Sequence, residues 1–134
     1  MTNKYNLYIG RYQPPHKAHM FLFDQSLSIG ESVCIAIRDV QPDEKNPLTA
    51  ETVKKLWEKV YSDNEKVKVI IIPDISSIKY GRDVGYKIEE LKAPTEVQLI
   101  SATIIRKQIH EGNNEWKKNV SELIHDDIET LLKG

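Results

Sequence analysis

Short apolar runs rich in β-branched residues alternate along this chain with longer stretches whose apolar positions recur every three or four residues. Lys4–Gly10, Ser32–Ile37 and Val67–Ile72 read as strands, the second of them buried, and Glu96–Ile100 reads as a further strand. His16–Leu27 carries Met20, Phe21, Phe23 and Leu27 at helical spacing and is closed by Gly30. Ala50–Tyr61 places Val53, Leu56, Trp57 and Val60 on one face, with Thr49 as its cap and Glu51 in its first turn. Thr103–Glu111 and Val120–Leu132 complete the helices. Pro14-Pro15 sets a loop, and Pro15 suits a first helical turn, where its missing N–H costs nothing. Arg38–Pro47 is polar and holds two prolines, so it reads as a loop. Ile75–Tyr86, with Gly81 and Gly85, reads as a loop around a short strand, and Lys87–Leu91 as one helical turn.

Strands alternating with helices predict an α/β fold: a single Rossmann-like, three-layer domain over residues 1–134, with a parallel sheet of about five strands covered on both faces. Ligands of such sheets sit beyond the carboxyl ends of the strands, where strand order reverses. The 134 residues suffice for one core, and 40% apolar with 29% charged residues marks a globular chain. A net charge of −1 removes the electrostatic case for a general nucleic-acid or membrane-surface binder. Cys34, the single cysteine, lies in an apolar run and reads as a small core residue. No run approaches membrane-spanning length and the first residues lack a signal-peptide core, so a cytoplasmic location is expected.

Two corners concentrate the chemistry. Gly10-Arg11-Tyr12-Gln13-Pro14-Pro15-His16-Lys17-Ala18-His19 and Ile100-Ser101-Ala102-Thr103-Ile104-Ile105-Arg106 each follow a strand-like run and open a helix-like one. Backbone N–H groups and the helix dipole gather around an anion at such a corner. One corner holds two histidines and the other Ser, Thr and Arg, which together read as two halves of a polyphosphate cradle. His16 and His19, three apart in a first turn, can share one face. The competing readings are a structural pair or a His-x-x-His metal site, and no further ligand cluster completes a metal shell. Arg11 can reach a phosphate bidentately or form a surface salt bridge. Lys17 extends from the same loop, and Gly10 permits close backbone approach or simply a turn. Ser101 is a phosphate contact or a helix cap.

These residues carry a resemblance. The chain resembles the nucleotidylyltransferase superfamily, with its His-x-Gly-His type and Ile-Ser-Ser-Thr-x-x-Arg type motifs, and looks most like nicotinamide-mononucleotide adenylyltransferases of the archaeal kind. Gly10–His19 is similar to their Gly-Arg-Phe-Gln-Pro-x-His-x-Gly-His, Asn46-Pro47-Leu48-Thr49 to their Asn-Pro-Phe-Thr, and Ile100–Arg106 to their Leu-Ser-Ala-Thr-x-Ile-Arg; the Pro73-Asp74-Ile75 turn also matches. The pattern departs in three places. Ala18 stands where Gly is usual, Lys54 and Lys55 lie where an Arg is usual near Val53, and the stretch before Ile100 is short. Its Tyr80–Tyr86 segment looks like the nucleotidylyltransferase-like domains attached to some adenylylsulfate kinases, and is similar to a Gly-Asp corner of small cytidylyltransferases.

The resemblance implies transfer of a nucleoside monophosphate, AMP from ATP, to an acceptor bearing a phosphate, with release of pyrophosphate. Nicotinamide mononucleotide is the leading acceptor. Magnesium is expected to arrive on the triphosphate rather than in a protein cage. A phosphomonoester is already largely dianionic near neutrality, with a second pKa of about 6, so the reaction needs alignment and charge stabilisation more than a base. On this reading His16, His19 and Arg106 are catalytic, and Gly10, Arg11, Lys17, Ser101 and Thr103 hold the nucleotide. Arg38, Asp39, Lys45, Tyr80, Arg82 and Asp83 are candidate acceptor or base contacts, each equally readable as a solvated or packing side chain. A homo-oligomer is expected from the resemblance. The alternatives are a cytidylyltransferase acting on a small phosphorylated alcohol, and a nucleotide-binding module without turnover.

Overall fold

A computed structural model describes residues 4–82 and 85–133. Three strands, β1 (Tyr5–Gly10), β2 (Ser32–Asp39) and β3 (Val67–Pro73), form a parallel sheet in the order β1-β2-β3. Register pairs Leu7 with Cys34 and Cys34 with Lys68. Helix α1 (Lys17–Leu27) connects β1 to β2, and α2 (Ala50–Val60) connects β2 to β3. A short turn of helix, α3 (Thr95–Gln98), precedes α4 (Ala102–His110). Two 3₁₀ turns, Asn114–Asn119 and Glu122–Ile124, then lead into α5 (His125–Lys133).

The core gathers on one face of the sheet. Val33, Ile35 and Ile37 of β2 are fully buried and share one cluster with Phe23 of α1, Val53, Leu56 and Trp57 of α2, Ile105 and Ile109 of α4, and Ile128 and Leu132 of α5. Because side chains alternate along a strand, Leu7, Ile9, Ile70 and Ile72 fall on the opposite face. Leu7 is 57% exposed and the other three are half-buried. Helices α1, α2, α4 and α5 thus all bury residues in the cluster on this face, while on the opposite face Cys34 and Ala36 are buried in the middle of the sheet.

The Rossmann-like α/β architecture with a parallel sheet follows the sequence pattern, and its strand count does not. Among the described residues the sheet has three strands instead of about five. The expected strand at Glu96–Ile100 is instead α3, because Pro94 opens a local turn: its carbonyl accepts from Val97 N and Gln98 N at 2.9 and 3.0 Å. These backbone groups are satisfied within the turn and do not add to the sheet. Lys87–Leu91 forms no helical turn and the described part of Ile75–Tyr86 no strand. Pro15 lies before the helix, not in its first turn, since His16 is the cap. The expected Val120–Leu132 helix is interrupted because Ser121 caps the second 3₁₀ turn and the His125 Nε2 bonds the carbonyls of Lys117 and Val120.

Cys34 is a free, buried thiol, and Trp57 and Trp116 are core residues. No helix among the described residues is long and apolar enough to cross a membrane. Ile105, 1% exposed, anchors α4 to the core beside Arg106. Ile105→Ala is expected to lower unfolding free energy by about 2–5 kcal/mol, read from denaturant midpoints.

Candidate functional site: the loop after the first strand

The loop from Arg11 to His16 is irregular, yet Tyr12 through His16 are all buried. Tyr12 turns the chain with a left-handed backbone (φ 54°) and folds its ring back over Gly10. Its phenol donates to the Tyr8 carbonyl at 3.0 Å, and its ring meets His19 and Trp57 edge-on, with centroids 4.7 and 5.5 Å away. A Cβ on Gly10 would come within 2.9 Å of Tyr12 Cζ, so glycine is required there by close approach of the ring. Gly10→Ala is expected to displace Tyr12 and cost about 1–3 kcal/mol, measured by chemical denaturation.

The two histidines close the start of α1 reciprocally. His16 is the cap; its Nδ1 accepts from Ala18 N at 3.2 Å, and His19 Nδ1 accepts from His16 N at 3.1 Å. Their rings stack with centroids 3.7 Å apart. The structural role weighed from sequence is therefore real. It also has a chemical consequence, because a ring nitrogen that accepts is unprotonated, and this assigns the proton of each neutral imidazole to Nε2. Among the described residues neither Nε2 has a protein hydrogen-bond partner. Burial lowers the His16 pKa from its ordinary 6.5 to about 4. Burial, then the charge of His16, holds His19 well below its ordinary value. Both rings are neutral N–H donors at pH 7.

The second corner faces this loop. Ser101 caps α4, accepting from Ile104 N at 3.1 Å, which engages one lone pair of its hydroxyl and leaves the O–H to donate. Arg106, one turn further on, donates from Nη1 to the Gln13 carbonyl at 2.6 Å and lies 3.5 Å from Thr103 Oγ1 through Nη2. Gln13 in turn pairs with Leu48, just before the α2 cap Thr49: Nε2 donates to Leu48 O and Oε1 accepts from Leu48 N, each at 2.8 Å. Three helix starts thus converge on one loop. The loop before α2 is shaped by Asp43, whose Oδ1 accepts from Lys45 N, Asn46 N and Asn46 Nδ2. These bonds, Asn46 foremost, and the charge of Arg11 hold the Asp43 carboxyl below its ordinary range. Burial pulls the Arg106 guanidinium down from its ordinary value, opposed by the charge of Asp43. A cavity of about 590 Å³ opens beside His19, between Ala18 and Leu22 of α1 and Leu91, Val97 and Ile100.

The expected acceptor contacts are scattered. Arg38 is spent on Asp74 (Nη2–Oδ1 2.7 Å) and on the Ile75 carbonyl, tying the ends of β2 and β3 together. Asp39 and Lys45 are exposed at the strand-end loops, as are Arg11 and Lys17 at the first corner. Tyr80 and Arg82 are exposed on an irregular segment, without a hydrogen bond or ion pair to either corner among the described residues; Asp83 lies outside the described residues. No group of three or more His, Cys, Asp or Glu among the described residues is placed to hold a metal ion. Sequence reading gave no role to Gln13, Tyr12 or Asp43. For Gln13 the signal was its position between an aromatic residue and two prolines, where a solvated amide is unexpected.

Residues 7–76 match the model of the cytidylyltransferase-like family. That is more than half of the chain, which belongs to this family. The match runs from β1 through β3 and includes both histidines and Gln13; Ser101–Arg106 lies beyond it. Membership supports a nucleotidyltransferase-type function. A search among curated proteins found no match.

The lowered histidine values make the start of α1 sensitive to acid. Between pH 6.5 and about 4 the unfolded chain binds protons at His16 that the folded chain refuses, so the stability this residue contributes is full above pH 6.5 and lost on acidification towards 4. His16→Asn, which keeps a capping acceptor, is expected to flatten part of that slope in urea midpoints taken across the range.

Proposed function

We propose that this chain is a nucleotidylyltransferase that moves AMP from ATP onto a phosphate-bearing acceptor, with nicotinamide mononucleotide as the leading acceptor. The observation that carries the reading is the pair of neutral imidazoles, each with Nδ1 spent on a backbone amide and Nε2–H left over, at a helix start joined through Gln13 to Arg106. Neutral N–H donors, a helix N-terminus and one guanidinium suit a ligand that brings its own negative charge.

In this mechanism an acceptor phosphate oxygen attacks the α-phosphorus, a new P–O bond forms, and the bond to the bridging oxygen breaks, so that pyrophosphate leaves with the electron pair. The acceptor oxygen is already anionic, so no side chain need remove a proton. His16 and His19 donate from Nε2 to triphosphate oxygens, while Arg106 meets the charge that builds on the leaving pyrophosphate. Arg11 and Lys17 add cationic contacts at the mouth, and Gly10, Ser101 and Thr103 line the path of the chain around the phosphates. The cavity beside His19 is of a size for a nucleoside, with Leu22, Leu91, Val97 and Ile100 as apolar surface for a base and Glu90, Lys92 and Gln98 as polar groups around it. Magnesium enters on the triphosphate and supplies further charge neutralisation there.

A cytidylyl transfer to a small phosphorylated alcohol is the second reading, favoured by the family match itself. The test is pyrophosphate release with magnesium, ATP against CTP, over a panel of phosphorylated acceptors that includes nicotinamide mononucleotide. Release is expected with ATP; release with CTP alone would replace the adenylyl reading by the cytidylyl one. Silence with every pair, while ATP still binds by calorimetry, would favour a binding module without turnover. In the active pair, Arg106→Ala and His19→Asn are each expected to reduce turnover by at least about 10²-fold with the thermal melt retained. Turnover within a few-fold of the native protein in either variant would remove that residue from the mechanism.

A further inference from the structure

Gln13 is 5% exposed, one of four buried polar residues among those described. Its carboxamide is paired with both backbone groups of one residue, Leu48, and its own carbonyl receives Arg106 from 93 positions away. A two-bond clamp fixes the orientation of the amide as well as its position. Glutamate would lack the donor for Leu48 O, and asparagine is one methylene shorter. The carbonyl that meets the guanidinium therefore belongs to a residue locked to a different helix start. Among the described residues little else holds Arg106: its other hydrogen-bond contact there, at Thr103 Oγ1, is 3.5 Å and lies within its own helix. A free arginine side chain carries about 2 kcal/mol of rotamer entropy, so a fixed acceptor decides where the guanidinium points.

We propose that Gln13 is the positioning residue for Arg106, using the entry of α2 as its anchor so that the guanidinium is aimed before any anion arrives. This inference rests on the transferase reading above. Gln13 touches no reacting atom in this scheme; it acts through Arg106, and its effect should vanish when Arg106 is absent.

The experiment is a double-mutant cycle. Gln13→Met keeps volume and removes both bonds to Leu48, and Gln13→Ala opens room for water at the same groups. Each is made in the native and Arg106→Ala backgrounds, with thermal melts alongside. In the native background kcat is expected to fall about tenfold, with KM for the triphosphate changed less than about threefold. In the Arg106→Ala background the further loss should shrink to less than about twofold. Equal losses in both backgrounds, or kcat within about twofold of native for both single variants, would overturn the proposal. Loss of a cooperative melt in both would also overturn it, since Gln13 would then be a folding residue.

If the native protein releases no pyrophosphate, the transferase reading fails by itself, and the same cycle is read on ATP affinity by calorimetry. Weakening of about threefold or more that disappears without Arg106 supports the positioning role. No weakening, equal weakening in both backgrounds, or no ATP binding by the native protein overturns it.

Discussion

An irregular loop buried on all sides must find a partner for every polar group it carries, and the stretch from Tyr12 to His16 meets that constraint in a way that shapes everything around it. Prolines at 14 and 15 remove two donors outright. Four of the remaining groups are answered by four different elements: the Tyr12 phenol by β1, the Gln13 side-chain amide by the entry of α2, the Gln13 carbonyl by α4, and the His16 backbone amide by His19 of α1. A loop that needed only to connect β1 to α1 has become the joint between four elements.

The same constraint sets the electrostatics. Because the loop is closed by imidazoles rather than by Ser or Asp, the usual oxygen acceptor at a helix cap is replaced by a ring nitrogen whose opposite edge carries a hydrogen. A hydroxyl cap keeps a rotatable O–H close to the backbone, as Thr49 does in donating to Thr52 Oγ1 at 2.9 Å; an imidazole cap spends Nδ1 and holds Nε2–H rigidly on the far side of the ring. Burial then removes the charge from both rings. The buried part of the first corner contributes neutral donors, its cations Arg11 and Lys17 stay exposed at the rim, and the half-buried cation is held at the second corner, on Arg106. This division avoids packing two imidazolium ions 3.7 Å apart with no anion between them.

Legibility from the sequence followed the range of the interactions. Thr49 and Ser101 were readable as caps because a cap is a local bargain between a side chain and an amide three residues on. The three strands and the two crossover helices were readable because period and β-branching are local too. The fourth strand does not form although Val97, Leu99 and Ile100 fit one by composition, because the Pro94 carbonyl offers a nearer partner to the amides of Val97 and Gln98. Gln13 is marked only by its place between an aromatic residue and two prolines: its partners are 35 and 93 residues away, and nothing in the neighbouring sequence names them. Arg38 looked like a ligand contact because it ends a strand, but its partner Asp74 lies 36 residues on at the end of the adjacent strand. Of the candidate site, the residue types were legible and the choice between working and structural residues was not, since that choice depends on which donors the fold has already used.

The His pair shows that the two categories need not exclude each other. Removing either ring breaks the closure of α1, so loss of activity in an alanine variant would be ambiguous between a lost phosphate donor and a frayed helix start. The separation lies in the two ring nitrogens. A side chain that supplies an acceptor but no distal N–H preserves the cap and deletes only the outward donor. The neutral state has a further consequence for ligand binding. An anion arriving at Nε2–H favours protonation at Nδ1, but that lone pair must first give up its backbone amide, so the cap resists conversion of either ring to a cation. The proposed site therefore meets its polyphosphate with neutral ring donors in the buried first turn of α1 and with cations around them, and proton uptake on binding is opposed by the same hydrogen bonds that hold that turn in place.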